Sequence, residues 1–164
     1  MESLFYIDNR LGLDGMEFPV FKIRTMVDGI GSFDEIVSLN GVSSLGKPKN
    51  DLRIIPWRRF LRVYHLDEIP QIVNIFRSDM KLVGIRPRNS QQWKSFPESH
   101  RKRALQYKPG LFGVPYAVPV LSDFEHLLQV EEEYLDRYEE SSYRTDLEYF
   151  LRISYNLLRG QRSE

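Results

Sequence analysis

Ile69, Ile72, Val73 and Phe76 fall at i, i+3, i+4 and i+7, the spacing of one helix face. Pro70 suits the first turn of such a helix, where a missing N–H leaves nothing unpaired. The pattern predicts a helix over residues 66–76, anchored in a core by that apolar face. Leu127, Leu128, Val130, Tyr134, Leu135 and Tyr138 predict a longer helix ending at about residue 139, capped by Ser122 or Asp123. Leu147, Phe150, Leu151, Ser154, Leu157 and Leu158 share a face of a last helix, preceded by Thr145 and Asp146 and ending at about residue 158. A shorter helix starts at Pro97.

Strand signals lie at the N-terminus. Residues 4–7 and 18–23 read as two short strands flanking Asp14-Gly15, a hairpin turn signal. In the second strand Lys22 and Arg24 alternate with Phe21 and Ile23, which predicts one cationic and one apolar face. Residues 27–51 are rich in glycine and serine and read as a loop, with room for a short helix over 32–39. Residues 53–64 offer Ile54, Ile55, Trp57, Phe60, Leu61 and Val63 to a core. Residues 80–83 read as a short extended segment, 108–113 as a glycine-rich turn, and 114–121 as irregular or extended. The expected fold is a helix-rich single α+β domain over residues 1–164, with a small N-terminal β-hairpin.

Composition excludes several classes. There is no cysteine, so disulfides and thiolate metal sites are out. His65, His100 and His126 lack zinc-ligand spacing. No apolar run reaches the roughly 20 residues of a spanning helix.

The formal charge is zero, but it is unevenly distributed. Residues 47–108 carry 15 Lys and Arg against 5 Asp and Glu; residues 1–46 carry 3 against 7, and residues 109–164 carry 5 against 11. Asp67 and Glu68 sit side by side inside the one basic block. Acidic residues favour helix N-termini, which is one reading of the pair. The basic surroundings favour another: arginines grip phosphate oxygens while carboxylates recruit a divalent cation. Arg62 precedes the pair and Arg86 follows it. Arg86 is a candidate anion ligand, unless it pairs with Asp79 or Glu68. Lys22 and Arg24 are further phosphate contacts, unless they form an exposed strand face. Arg101-Lys102-Arg103 and Glu131-Glu132-Glu133 read as solvated faces, the former also as a contact for anionic lipid head groups.

Several motifs then line up in order. Phe60-Leu61-Arg62, Leu66-Asp67-Glu68-Ile69-Pro70-Gln71, Asp79-Met80-Lys81-Leu82-Val83-Gly84 and Arg86-Pro87 form a central block. Lys22-Ile23-Arg24-Thr25-Met26 precedes it and Lys108-Pro109-Gly110-Leu111-Phe112-Gly113 follows it. Together they resemble the bacterial sugar transferase family, the monotopic phosphoglycosyl transferases that start glycan assembly on a polyprenol carrier. The resemblance covers residues 4 to 158. Three positions depart from the family pattern: His65 stands for serine or threonine, Ile85 for the first proline of G-P-R-P, and Phe112 for threonine.

The resemblance implies transfer of a phospho-sugar from a nucleotide diphosphate sugar, UDP-linked, to a polyprenol phosphate. It implies Asp67 as nucleophile, Glu68 as Mg²⁺ ligand, and Arg62, Arg86, Lys22 and Arg24 on phosphate oxygens. It further implies a membrane surface as partner, at the cytoplasmic face of the inner membrane. Family members carry a hydrophobic membrane hairpin ahead of the segment matching residues 4–26, so this chain is expected to be the catalytic domain without it. Two rival readings are an inactive relative acting as a binding or regulatory module, and an anion- or nucleic-acid-binding domain resting on the basic block. The basic block carries no nucleic-acid motif, so nucleic acid is not an expected partner.

Overall fold

The computed structural model describes residues 3–27, 38, 52–63 and 65–159. The expected loop over 27–51 and the short helix over 32–39 therefore lie almost wholly outside the described residues. Strands β1 (Phe5–Leu11) and β2 (Glu17–Ile23) pair antiparallel, from Phe5 opposite Ile23 to Leu11 opposite Glu17. A tight 3-10 turn joins them. In it Asp14 and Gly15 both take the left-handed backbone, at φ 56° and 72°, as an Asp-Gly turn requires. The first strand runs four residues further than its apolar stretch, because the hairpin register carries Asp8, Asn9 and Arg10 with it.

The face of β2 is set by burial. Phe18 and Val20 are core residues that pack with Met80. Lys22 follows at the same period-two position, so it lies on the inward face. The expected split into a cationic and an apolar face is thus corrected: the lysine follows core side chains and points toward the segment packed beneath the hairpin.

That segment begins with a 3-10 turn (Pro56–Arg58) and helix α1 (Arg59–Val63). It continues through a 3-10 stretch (Leu66–Gln71) into α2 (Ile72–Phe76). The helical region matches residues 66–76, but its orientation is reversed. Ile69, Ile72, Val73 and Phe76 are exposed, Phe76 at 85%. Asp67, Glu68, Gln71 and Asn74 are buried instead. Some of these polar atoms find partners inside: Asn74 Nδ2 donates to the Pro19 carbonyl of β2 at 2.7 Å, whereas Asn74 Oδ1 has none among the described residues. Trp57 and Phe60, expected in the core, are exposed as well.

Strand β3 (Lys81–Gly84) pairs in parallel with β4 (Gly110–Gly113), the stretch expected to be a turn. The glycines are what bring the strands together. A Cβ on Gly110 would stand 2.0 Å from the Gly84 nitrogen. Between these strands lie α3 (Ser90–Trp93), with an Asn89–Gln92 capping box, and α4 (Glu98–Ala104). A 3-10 turn (Val114–Ala117) leads to α5 (Phe124–Glu140), capped by Asp123, whose carboxylate accepts from the His126 N–H at 2.8 Å. The last helix, α6 (Ser142–Leu158), starts three residues before Thr145.

The main core gathers Val83, Ile85, Trp93, Val114, Tyr134, Leu135, Tyr149 and Ile153. Helix α6 enters it through Thr145, Tyr149, Ile153 and Asn156, whereas Leu147, Leu151, Leu157 and Leu158 of the expected inner face are exposed. Phe150 alone of that set packs against the core. Inner polar groups find partners here too: Thr145 Oγ1 donates to the Arg137 carbonyl at 2.8 Å, and Asn156 Nδ2 to the Tyr116 carbonyl at 3.1 Å. The architecture is a helix-rich α+β domain with an N-terminal hairpin, as expected, and a second small sheet, β3–β4, that was not.

The expected solvated acidic face is corrected too. Glu131 is fully buried and accepts from Arg88 Nη2 at 2.6 Å, with His100 Nε2 at 2.9 Å from its other oxygen. Arg103 is not a free surface cation either; it pairs with Glu132, Asp136 and Glu139.

Candidate active site

His65 takes the left-handed backbone at φ 54° and turns the chain from α1 into the 3-10 stretch. The turn sets Asp67 and Glu68 on the inward side, beneath β2. Glu68 Oε1 receives two cations: Lys22 Nζ at 2.9 Å and the Arg86 guanidinium through Nη2. Arg86 also donates, through Nη1, to the Tyr116 hydroxyl. The Tyr116 ring in turn lies 4.9 Å from that of His65. Arg62 donates to Thr25 Oγ1 at 3.3 Å and lies near enough for its charge to act on Asp67.

The two carboxyls are thus placed in unlike environments. Burial, and then the neighbouring Glu68 charge, push the Asp67 carboxyl above its ordinary range, while Lys22 and Arg62 oppose them. Burial acts on Glu68 in the same direction, but Arg86 and Lys22 outweigh it and hold Glu68 down to about 2. No side chain among the described residues donates a hydrogen bond to Asp67. One carboxylate is therefore charge-paired and fixed, and the other has no ion-pair partner among the described residues. Unlike environments around paired carboxyls divide their roles.

The structure brings together Asp67, Glu68, Lys22, Arg86 and Arg62. Arg24 is directed elsewhere: its Nε donates to the Ser3 carbonyl at 3.2 Å, and its guanidinium stands over the Tyr6 ring. β2 ends at Ile23, so the alternation that places Lys22 inward does not extend to Arg24. Arg86 does pair with Glu68, the alternative weighed against its anion role, yet 40% of its side chain stays exposed. Tyr116 was missed by sequence reasoning. It lies in an irregular Pro-rich stretch, and only the fold carries it to Arg86. Phe112 faces the core beside Phe150, 6.4 Å between ring centres, rather than the carboxylates.

Two adjacent carboxylates provide oxygen ligands of the kind Mg²⁺ takes. Among the described residues no group of three or more acidic or histidine side chains could hold a metal. The pair suits an ion that draws its remaining ligands from water and substrate phosphates, as Mg²⁺ does.

Residues 1–160 match the family model described as bacterial sugar transferase. The chain belongs to the bacterial sugar transferase family. Among its relatives, the galactosyl transferase CpsE of Streptococcus agalactiae is 30% identical over 137 residues, 81% of this chain and 30% of that protein. The UDP-glucose:undecaprenyl-phosphate glucose-1-phosphate transferase of Xanthomonas campestris is 34% identical over 112 residues, 67% of this chain and 22% of its own. The undecaprenyl-phosphate galactose phosphotransferase of Salmonella typhimurium is 34% identical over 115 residues, 66% of this chain and 24% of its own. The chain thus spans under a third of these three sugar transferases. Among the described residues no helix is long and apolar enough to cross a membrane.

Proposed function

We propose that this domain transfers a phospho-sugar from a UDP-sugar to a polyprenol phosphate through a covalent intermediate on Asp67. The observation that carries this reading is the buried Asp67–Glu68 pair with Lys22, Arg86 and Arg62 around it. A carboxylate cannot approach an anionic diphosphate unless cations screen both. Arg86 and Lys22 take the diphosphate oxygens, and Arg62 holds the phosphate nearest Asp67.

The chemistry is two displacements at one phosphorus. An Asp67 Oδ attacks the β-phosphorus; the bond from that phosphorus to the bridging oxygen breaks, and UMP leaves with the electron pair. A phosphate oxygen of the polyprenol carrier then attacks the same phosphorus. The acyl-phosphate bond breaks, restoring the Asp67 carboxylate and releasing polyprenol diphosphate sugar. When bound at Glu68, Mg²⁺ offsets charge on the diphosphate and on the leaving group.

The lipid acceptor suggests a membrane surface beside the site. Trp57, Phe60, Ile69, Ile72, Val73 and Phe76 are all exposed on the segments that carry Arg62 and the acidic pair. An apolar helix face turned to solvent next to a site for a lipid substrate fits a surface lying in a bilayer interface. Replacing both Ile72 and Phe76 by glutamate should weaken co-sedimentation with lipid vesicles by about tenfold or more per side chain. Unchanged co-sedimentation would rule this face out as the lipid contact.

The reading is tested by intact-mass spectrometry after incubation with Mg²⁺ and a panel of UDP-sugars. The expected result is a mass increase of one phospho-sugar on the wild-type chain and none on Asp67→Asn. UDP binding without an adduct for any donor would favour the inactive-module reading.

A further inference from the structure

The same two cations that the donor needs are held by Glu68. Lys22 Nζ and Arg86 Nη2 both bond one oxygen, Oε1, of a side chain that is 11% exposed. Counting Lys22, Arg86 and Arg62 against Asp67 and Glu68, the side chains of the site sum to a net positive charge. A bare divalent cation meets repulsion there, and the carboxylate it needs is already neutralised.

We propose that Lys22 and Arg86 are internal counter-ions that keep Glu68 from a divalent cation until a diphosphate draws them away. The inference rests on the donor reading above and adds a linkage to it. Diphosphate oxygens accept from Arg86 and Lys22, and Glu68 loses its partners. The site then turns negative and the cation finds a carboxylate beside phosphate oxygens. Arg86 is suited to this exchange: 40% of its side chain is exposed, and the Tyr116 hydroxyl holds it in reach of both partners. Donor and cation therefore bind with positive coupling. Linkage makes the effect reciprocal: each tightens the other by the same factor, on the order of tenfold.

UDP chelates divalent cations by itself, so the deciding measurement omits nucleotide. Titrations of Mn²⁺ alone, followed by its electron paramagnetic resonance signal, are compared for wild type, Lys22→Gln and Arg86→Gln. Both variants remove a positive charge from the site. They are expected to bind bare Mn²⁺ about tenfold more tightly than wild type, while binding UDP more weakly. Adding Glu68→Gln to Arg86→Gln should abolish the gain. Bare-ion affinity that is unchanged or weaker in both single variants would overturn the counter-ion role, as would a gain that survives Glu68→Gln. Failure of the wild-type chain to bind UDP with Mn²⁺ present would defeat the donor reading itself, and the inference with it.

Discussion

Asp67→Asn is expected to lower phospho-sugar transfer by about four orders of magnitude or more, the scale of losing a covalent nucleophile. The amide keeps the shape of the carboxylate but supplies no attacking oxygen, so no adduct forms and both displacements stop. The fold should survive the change, since no side chain among the described residues donates a hydrogen bond to Asp67. Stability should rise. Burial and the Glu68 charge both push the Asp67 carboxyl up, which means the folded protein disfavours its ionised form. A raised folded-state value costs the fold stability at pH above the ordinary value of 3.8, and asparagine removes that cost. Glu68→Gln should do the opposite to stability, because it leaves Lys22 and Arg86 without their shared partner. Turnover assays and thermal unfolding of the two variants check both halves. Appreciable turnover by Asp67→Asn would rule out the nucleophile, and a fall in its Tm would contradict the electrostatic account.

Local sequence motifs located the acidic pair and most of its cationic neighbours, because those residues lie in short stretches with fixed spacing. The inward placement of Lys22 could have been read from Phe18 and Val20, which occupy the same alternation as the lysine. Arg24 lay beyond the strand end, where alternation no longer applies. Tyr116 carried no local signal, and its contact with Arg86 spans 30 residues of chain.

The larger errors share one cause. Periodicity identifies the faces of a helix but not which face turns inward. Across residues 66–76 the apolar face is the outer one, and the buried face is Asp67, Glu68, Gln71 and Asn74. The inverted burial is itself informative: burying polar groups without partners is costly, so a polar inner face needs satisfied hydrogen bonds and a purpose for its charges. In α6 the same mistake arose from weighing leucines above Thr145, Tyr149 and Asn156. Thr145 and Asn156 each donate to a main-chain carbonyl, and the Tyr149 ring packs in the core. A helix next to a lipid-using site can keep its apolar residues outside, and composition alone does not reveal that.

Glu131→Leu is expected to be the most destabilising of the simple substitutions, by about 3–5 kcal/mol, or on the order of 6–20 °C in Tm. The loss comes from what remains. Arg88 stays buried against Trp93 and Phe96, and His100 loses one of its two carboxylate partners. Arg88 Nη1 already has no protein partner among the described residues, so the cluster has little reserve. Replacing Arg88 by methionine at the same time should recover most of the loss, because an apolar pair needs no partner. Arg88 is two residues from Arg86 and its carbonyl accepts from the Leu11 N–H at 2.9 Å, so activity need not recover with stability. The cluster also sets a pH dependence. Burial pulls the His100 ring down, but Glu131 and Glu132 outweigh it and raise it above its ordinary 6.5. Its contribution is full below 6.5 and is lost as pH climbs through the raised value. Burial pushes the Glu131 carboxyl up, but Arg88 and His100 outweigh it and hold it below its ordinary 4.5. That contribution is full above 4.5 and is lost as pH falls through the lowered value. The cluster is therefore strongest between 4.5 and 6.5, and Tm should decline on the alkaline side. His100→Gln should flatten that decline. An alkaline slope identical in wild type and His100→Gln would show that the ring stays neutral between its two glutamates.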